Sequence, residues 1–397
     1  MEEKIKVNKL FLVGNGFDLS LGLKTSYADF MFWLLKKQLI KATSHFFKQA
    51  APNTNKGHSR GHNGTYDPPD IYGYFSSELF TVSIKSNYGK DNLIEKFNKF
   101  KDSIEILDFI EEKEIDVDFK NKNGLFSEIY NQINVGWIDI EETYFRLIKG
   151  LINDKTDLDK DKINQYNEDL KNIIVELNKY LKEIESDLDT EQANIFFEQF
   201  VEKVNEKDVF LDSEQKVDRE NSHLYFLNFN YTKSLQLILT GCDLKFQDYT
   251  INHIHGSFHE EKPIIFGFGD EMDDSYKKIE KFDDKRFFTY IKSFQYFQNS
   301  NYRNLLRFLN SESFQVCIYG HSCGLSDRVM LNEIFEHENC RSIKIYFYKD
   351  KGGKNDFTTK TMNISRHFNS NKLMRQKIVE FNPENEIPQK NSQTELQ

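Results

Sequence analysis

Short apolar runs that stop at Gly, Asn or Asp occur once near the start of the chain and five times in its second half. The first is KLFLV at residues 9–13. The later ones are HLYFLNFN, DYTINHIHG, PIIFGFG, FQVCIYGHS and SIKIYFYKD. Runs of this length and composition are typical of buried parallel strands, which are covered on both faces. The pattern therefore predicts about six strands.

Amphipathic segments lie between these runs. Apolar residues recur every three or four positions over residues 30–40 and from Ile163 to Leu188, which is the spacing of one helix face. Residues 287–309 and 329–337 have the same spacing between the late strands. This alternation predicts an α/β fold, with a Rossmann-like, mostly parallel sheet of about six strands flanked by helices. A large helical insertion follows the first strand–helix unit.

The predicted domain organisation is discontinuous. Residues 1–45 and 215–380 are expected to form an α/β nucleotide-binding domain, and residues 70–210 are expected to form the helical insertion. The polar residues 381–397 are predicted to be a disordered tail.

The charge and cysteine content narrow the functional class. The 53 Lys and Arg against 63 Asp and Glu give a net charge of −10, which argues against a nucleic-acid-binding protein. No stretch approaches the roughly 18–20 apolar residues of a membrane helix. The four cysteines form no CxxC pair and have no metal-ligand spacing, so we expect them to be reduced and buried. These features predict a cytoplasmic protein with neither a membrane segment nor a metal site.

A glycine-containing loop follows the first strand, where an open parallel sheet binds its ligands. Closely spaced glycines let the backbone approach a phosphate, and the next helix begins with free N–H groups. The spacing is not GxGxxG, so an ordinary dehydrogenase is not favoured. A tight strand-to-helix turn that requires glycine is the alternative interpretation. The loop and the start of its helix contribute Gly14, Asn15, Gly16, Phe17, Asp18, Gly22 and Thr25.

Polar residues also follow the second and third predicted strands. Asn228 and Asn230 alternate at the end of one, and His253 and His255 at the end of the other. A histidine at the end of a strand, beside other polar strand ends, is a candidate general base. A histidine that only packs is the alternative interpretation.

A GxSxG motif, Gly320 to Gly324, follows the fifth run and matches the nucleophile elbow of serine hydrolases. That chemistry requires an acid and then a histidine downstream. Only His337 and His367 follow, and one strand follows where several are usual. A serine hydrolase that uses Ser322 is therefore a less favoured alternative.

Six motifs together resemble the AbiH family of bacterial abortive-infection proteins, which act in phage defence. They are LFLVGNGFDLSLGLKTSYADF, GWIDIEETYFRLI, LNFNYTKSL, IHGS, IFGFGD and IYGHSCGLSDRVMLNEIF, in the order in which that family has them. The resemblance spans residues 10 to about 348.

AbiH proteins in turn distantly resemble sirtuin-like NAD-consuming domains. GNGFDLSLGL aligns with the glycine-rich loop of those domains, NYT with their Asn motif and HIHG with their His motif. The resemblance implies NAD as substrate or ligand, with Asn230 and His255 as catalytic residues. It implies that the glycine loop and a late loop bind the cofactor, the late loop with Gly320, His321, Ser322 and Asp327.

Two departures from the sirtuin-like pattern change what it implies. Thr232 stands where the pattern has the Asp that places the nicotinamide carboxamide, which puts strong hydrolysis in doubt. The four-cysteine zinc ribbon of deacylases is absent from the sequence, so hydrolysis is favoured over deacylation.

The leading hypothesis is hydrolysis of the nicotinamide–ribose bond of NAD, which would deplete the infected cell. Loss of nicotinamide leaves an oxocarbenium-like sugar, and His255 would accept a proton. The alternative is a nucleotide-binding sensor or toxin component that acts through a protein partner with little catalysis. For both hypotheses the expected partners are a phage-derived trigger, or further copies of the chain in a homo-oligomer.

Overall fold

The computed structural model describes most of the chain. The described residues are 3–49, 73–84, 93–113, 115–122, 124–133, 139–153, 160–186, 188, 194–210, 215–218, 222–241, 248–260, 264–269, 273–281 and 284–390. Residues 51–66, a Gly-, Asn- and Ser-rich segment whose composition predicts an exposed loop, lie outside them. Among the described helices, none combines the length and the apolar character that crossing a membrane requires.

The described strands form two sheets. They are β1 (Glu3–Val13), β2 (Gly73–Ser76), β3 (Phe80–Ile84), β4 (Asp116–Phe119), β5 (Gln215–Asp218), β6 (Leu224–Asn228), β7 (Tyr249–His253), β8 (Ser313–Tyr319) and β9 (Cys340–Ile345).

The described α-helices range from four to 26 residues. They are α1 (Asn15–Ser20), α2 (Tyr27–Gln49), α3 (Leu93–Lys99), α4 (Ser103–Glu112), α5 (Leu125–Gln132), α6 (Ile140–Asn153), α7 (Lys160–Glu185), α8 (Asn194–Val201), α9 (Ser234–Gly241), α10 (Asp274–Ile279), α11 (Lys292–Gln295), α12 (Asn301–Leu309), α13 (Arg328–Glu336), α14 (Phe357–Ser365) and α15 (Asn371–Lys377).

The larger sheet has the order β7-β6-β1-β8-β9, and all of its strand pairs are parallel. A sixth strand, β5, pairs in parallel with the first residues of β1. Taken along the chain, the five strands have the order third, second, first, fourth, fifth. This is the order of dinucleotide-binding folds, in which the winding direction reverses beside the first strand. The predicted fold class is confirmed.

Residues 7–13 of β1 and the strands β6, β8 and β9 are almost entirely buried, whereas the edge strand β7 is partly exposed. Successive side chains of a strand point to opposite sides, so each face of the sheet packs separately. Leu10 and Leu12 of β1 pack into an apolar cluster with residues of α12 and α13. Phe11 and Val13 pack into a second cluster with α8 and α9. Burial on both sides explains why these strands are continuous apolar runs rather than alternating ones.

Two predicted elements differ from the structure. The run PIIFGFG is not a strand of the sheet, because its backbone hydrogen bonds go to a loop and a turn: Ile265 N–H donates to the His255 carbonyl and Phe268 N–H to the Tyr290 carbonyl. The sixth strand is β5 instead. The predicted helix over 287–309 is broken into short pieces, and the last of them, α12, begins where the Asn299 side chain accepts a hydrogen bond from the Asn301 N–H.

The chain divides into two compact units. The first contains residues 1–26, 144–158 and 178–397, and the second contains residues 27–143 and 159–177. The division differs from the predicted bounds, since residues 27–45 belong to the second unit and residues 144–158 and 178–210 to the first.

The second unit is not purely helical. Its strands form an antiparallel sheet in the order β2-β3-β4. The buried Asp169 carboxylate of α7 accepts hydrogen bonds from the Asn121 side chain and from Phe126 N–H at the start of α5. This carboxylate thus holds a loop and a helix start together within the unit.

Part of the predicted disordered tail packs within the first unit. Ile387 is buried in the same cluster as Phe11, and the Glu386 carbonyl accepts a 2.8 Å hydrogen bond from Gln199 Nε2. Phe347 N–H donates to the Asn385 carbonyl. Residues 391–397 lie outside the described residues.

The turns after β1 and β8 touch through their backbones. Gly16 N–H donates to the Gly320 carbonyl at 2.8 Å, and Gly14 N–H donates to the Tyr319 carbonyl at 3.1 Å. A Cβ on Gly16 would lie 2.8 Å from the Gly320 oxygen, closer than real Cβ atoms approach. Gly320 has φ of 76°, and a Cβ there would overlap the Phe17 backbone nitrogen. Both positions therefore require glycine.

We predict that Gly16→Ala and Gly320→Ala each destabilise the protein by about 1–3 kcal/mol, because an added methyl group forces the two turns apart. The midpoint of thermal unfolding measures the loss. Gly150→Ala is the matched control, since a Cβ there meets no atom within 4 Å and the residue lies inside α6. Alanine should leave that helix equally or more stable. Equal midpoints for all three variants would contradict the prediction.

Candidate functional site

Two clusters of buried polar side chains lie beyond the carboxyl ends of the strands in the first unit. The Asp18 cluster consists of Asp18, Asn230, Thr232 and Ser234. The Asp327 cluster consists of His255, Lys292, Tyr296, His321 and Asp327.

Neutral donors surround the carboxylate of the Asp18 cluster. Oδ1 of Asp18 accepts hydrogen bonds from Asn230 Nδ2 at 3.2 Å and from the Ser234 hydroxyl, and Oδ2 accepts from the Thr232 hydroxyl at 2.7 Å. The same Asn230 nitrogen donates to the Gly14 carbonyl at 3.1 Å. Burial raises the pKa of Asp18 to about 6, although the hydrogen bonds lower it. The cluster ties the glycine loop to the turn after β6.

The backbone donors of the glycine loop are engaged within the protein. The N–H groups of Gly14, Gly16 and Phe17 donate to the carbonyls of Tyr319, Gly320 and Gly14 respectively. A phosphate on this loop would compete with these bonds. The phosphate-binding role of the loop stays a prediction.

The remaining residues predicted to bind the cofactor after β1 differ in how far their side chains are exposed. The Phe17 ring lies in the core, 5.4 Å from the Phe196 ring centroid, so its side chain packs rather than facing a ligand. Asn15 is exposed, and Gly22 lies two residues after the end of α1, with φ of 81°. The hydroxyl of Thr25 is buried without a hydrogen-bond partner among the described residues. Such an orphaned donor is rare, and it is compatible with a ligand contact.

In the Asp327 cluster, one carboxylate oxygen joins a histidine and a lysine. Oδ1 of Asp327 lies 3.1 Å from His255 Nε2 and 2.9 Å from Lys292 Nζ. His255 Nε2 also lies 3.2 Å from the Tyr296 hydroxyl, and the ring has a hydrogen bond with the Phe229 backbone. Lys292 is 1% exposed, so its charge is compensated inside the protein rather than by water.

The charges of this cluster stabilise one another. Burial alone would raise the pKa of Asp327, but Lys292 and then His255 lower that pKa well below its usual range. Burial, followed by the Lys292 charge, lowers the pKa of His255, whereas Asp327 raises it. The carboxylate is thus ionised, and the neutral imidazole of His255 is favoured, as a general base requires.

The second histidine of the cluster is held neutral. Burial lowers the pKa of His321 to about 3. Its Nδ1 accepts a 3.0 Å hydrogen bond from Cys323 N–H, so the ring proton resides on Nε2, which lies 3.9 Å from Asp327. The His321 ring packs on Phe229, with 4.0 Å between centroids.

Three segments bring this cluster together. His255 follows β7, and Asp327 ends the turn after β8, so both come from the carboxyl edge of the sheet. Lys292 begins α11, and its N–H donates to the Phe268 carbonyl at 3.0 Å. Gly267 has φ of 143°, and a Cβ there would overlap the Tyr290 carbonyl. The glycines of the PIIFGFG run therefore allow the close approach that places the lysine.

A pocket of about 240 Å³ opens beside the Asp327 cluster. Its walls are mostly apolar and aromatic, and the polar groups include two serines and the Asp327 carboxylate. It is lined by Gly269, Ser293, Phe294, Tyr296, Phe297, Tyr302, Ser326, Asp327, Val329 and Met330.

The sequence indicates part of this arrangement. It points to His255 after one strand and to His321 and Asp327 in a later loop, and the structure brings these three together, whereas Asn230 belongs to the other cluster. Their catalytic and binding roles stay predictions. The sequence pattern does not indicate Lys292 and Tyr296, because residues 287–309 have the apolar spacing of a helix that packs on the sheet. A lysine among apolar residues at helical spacing was the available signal, since a buried lysine requires an anionic partner.

The turn that carries Ser322 differs from a nucleophile elbow. The non-glycine residue of this turn with positive φ is Cys323, at 53°, whereas in a nucleophile elbow the serine itself occupies the strained position. Ser322 is exposed. The downstream histidines have other partners: His367 Nε2 bonds to the Cys323 carbonyl, and His337 Nδ1 accepts from Asn339 N–H. The geometry does not favour a serine hydrolase.

Among the described residues, no group of three His, Cys, Asp or Glu side chains is arranged to hold a metal ion.

Comparison with known proteins finds one family. The family model described as "Bacteriophage abortive infection AbiH" matches residues 10–349. No curated protein matches the chain significantly.

We predict that Asp18 makes stability fall as pH rises from about 4 to about 6. Below this window the carboxyl is protonated in both states. Within this window the Asp18 carboxyl ionises in the unfolded chain but keeps its proton in the folded protein, so the free energy of unfolding falls as pH rises. Above the window the loss reaches about 3 kcal/mol.

The measurement is urea unfolding at pH 4 and pH 7 for the wild-type protein and Asp18→Asn. Between the two pH values, the free energy of unfolding of the wild-type protein should fall by about 3 kcal/mol more than that of the variant. Because each protein is compared with itself at two pH values, a pH-independent effect of the asparagine on stability does not affect the result. The same pH dependence in both proteins would show that Asp18 keeps an ordinary pKa.

Proposed function

The chain belongs to the AbiH family of bacteriophage abortive infection proteins, and we propose that it acts in this defence by hydrolysing NAD or a related nucleotide in the cytoplasm. The bond cleaved is the one between nicotinamide and ribose. The motifs that resemble sirtuin-like domains suggest this substrate, and the Asp327 cluster supplies the base.

One observation carries the proposal: His255 Nε2 lies 3.1 Å from Asp327 Oδ1, beyond the carboxyl end of a parallel sheet. Ligands of such sheets bind at this edge, beside the strand where the winding reverses. A carboxylate held ionised next to a neutral imidazole stabilises the imidazolium that forms when the base accepts a proton. The Lys292 ammonium compensates Asp327 before the reaction begins.

The reaction is a hydrolysis, in which water supplies the new bond to the ribose. The bond between ribose C1′ and the pyridinium nitrogen breaks, and its electron pair neutralises the ring, which leaves as nicotinamide. The water oxygen bonds to C1′ to give ADP-ribose, and one water proton is released. The Tyr296 hydroxyl lies 3.2 Å from His255 Nε2 and lines the pocket, so it can pass that proton to the imidazole.

The field around the site suits a reaction that develops positive charge on the sugar. The Asp327 carboxylate is negatively charged, although the Lys292 ammonium at 2.9 Å offsets part of that charge, and the glycosyl transition state is oxocarbenium-like. His255 adds no charge before it accepts the proton, because its neutral form is favoured. In this proposal Asn230 acts indirectly, since it holds the glycine loop through Gly14 and Asp18.

A second candidate function is a nucleotide sensor that acts through a protein partner with little catalysis. The observation that favours it is the engagement of the glycine-loop N–H groups by the turn after β8. A nucleotide that displaced these bonds would separate Gly16 from Gly320 and change the surface around both turns. Thr232 also fits this function, because its hydroxyl is committed to Asp18 rather than to a carboxamide.

We predict that His255→Gln and Asp327→Asn each lower the rate of nicotinamide release from NAD by about 10²–10⁴-fold, because each removes part of the base. The assay uses purified protein, with and without a lysate of phage-infected cells as a source of trigger. His223→Gln is the matched control and should keep full activity. His223 precedes β6, at the opposite edge of the sheet, and pairs with Asp248.

Unchanged turnover in both site variants would overturn the assignment of the base. Calorimetry with NAD and ADP-ribose separates the two candidate functions. Tight binding of NAD without nicotinamide release, under either lysate condition, would support the sensor and contradict hydrolysis.

A further inference from the structure

The aromatic pocket beside Asp327 is a binding site for one flat ring, and we propose that it takes the nicotinamide ring of the substrate, a cationic pyridinium that carries a carboxamide. This inference rests on the proposed function, because it assigns one part of NAD to one part of the site.

The size of the pocket selects a single ring. Its volume is about 240 Å³. Pockets that enclose drug-sized ligands have volumes of roughly 300–1,000 Å³. A whole dinucleotide therefore does not fit, whereas one ring with a small substituent does.

The walls suit a flat aromatic group. Tyr296 and Tyr302 are stacked, with 5.0 Å between ring centroids and 23° between ring planes. Phe294 and Phe297 complete the aromatic lining and are 49% and 85% exposed. A ligand ring that packs against them buries apolar surface that now faces water, and offset or edge contacts add to that gain.

The charges around the pocket favour a cation over a neutral base or a phosphate. Asp327 lines the pocket and is ionised, and the Lys292 ammonium at 2.9 Å offsets part of its charge. The Glu333 carboxylate accepts the hydrogen bond of the Tyr302 hydroxyl and so lies directly behind one wall. Aromatic faces attract cations through their quadrupole. Pyridinium satisfies both preferences, whereas adenine is neutral and the pyrophosphate would be repelled.

The position relative to His255 agrees with this assignment. Tyr296 belongs both to the pocket wall and to the hydrogen bond with His255 Nε2. A ring seated in the pocket would direct its ribose bond toward the base. The serine side chains of the lining, Ser293 and Ser326, could receive the carboxamide.

The test measures binding of three small probes to the full-length protein by calorimetry. The probes are 1-methylnicotinamide, a cation; nicotinamide, which is neutral; and benzamide, which lacks the ring nitrogen. We expect 1-methylnicotinamide to bind most tightly. Phe297→Ala should weaken that binding about tenfold, because one aromatic wall is lost. Phe210→Ala, at a 56% exposed phenylalanine outside the pocket lining, is the matched control and should bind normally.

A charge-specific variant completes the test. Asp327→Asn should weaken binding of 1-methylnicotinamide and leave binding of neutral nicotinamide unchanged. Absence of 1-methylnicotinamide binding, or equal binding by the wild-type protein and Phe297→Ala, would overturn the inference.

The two proposals fail in different ways. Binding of 1-methylnicotinamide that depends on Phe297, without hydrolysis of NAD, would leave the ring site standing and contradict the hydrolase. Hydrolysis of NAD with the same KM and kcat in Phe297→Ala would leave the hydrolase standing and contradict the ring site.

Discussion

The close approach of Gly16 to Gly320 is the constraint on which the edge of the sheet depends. It occurs where the winding of the sheet reverses, so it joins the turns after two neighbouring strands that are more than 300 residues apart in sequence. Because neither position has room for a side chain, the backbones bond directly. The residues that follow each turn are placed as a consequence, Asp18 on one side and Asp327 on the other.

These two buried carboxylates differ in charge because they differ in partners. Asp18 is surrounded by an amide and two hydroxyl groups, which cannot offset the cost of burying its charge, and its pKa rises to about 6. Asp327 has the ammonium group of Lys292 within 2.9 Å, and its pKa falls. The first arrangement links the glycine loop to the turn after β6 through a carboxyl group that ionises near pH 6. The second keeps a negative charge, paired with Lys292, beside the imidazole of His255.

Much of the fold could be predicted because it follows from local patterns. Continuous apolar runs identified four of the five parallel strands beyond β1, since a strand buried on both faces has no polar alternation. PIIFGFG had the same composition, yet its N–H groups bond to His255 and Tyr290 in a loop. The sixth strand is instead β5, which contains Gln215, Lys216 and Asp218. Among the described strands it pairs with the polar start of β1 alone. Composition alone does not distinguish an apolar loop from a strand, or a polar strand from a loop, because the tertiary structure determines which backbone groups form hydrogen bonds.

The sequence by itself determined which residues could do chemistry and that most of them follow strands: the glycines, Asn230, His255 and Asp327 all stand after apolar runs. Only the tertiary structure decided which of them meet. His255 reaches Asp327 across 72 residues of sequence, and Lys292 joins from a segment whose pattern indicated packing alone. A buried charge requires a partner within a few ångströms, and periodicity along a chain carries no information about which distant loop supplies that partner.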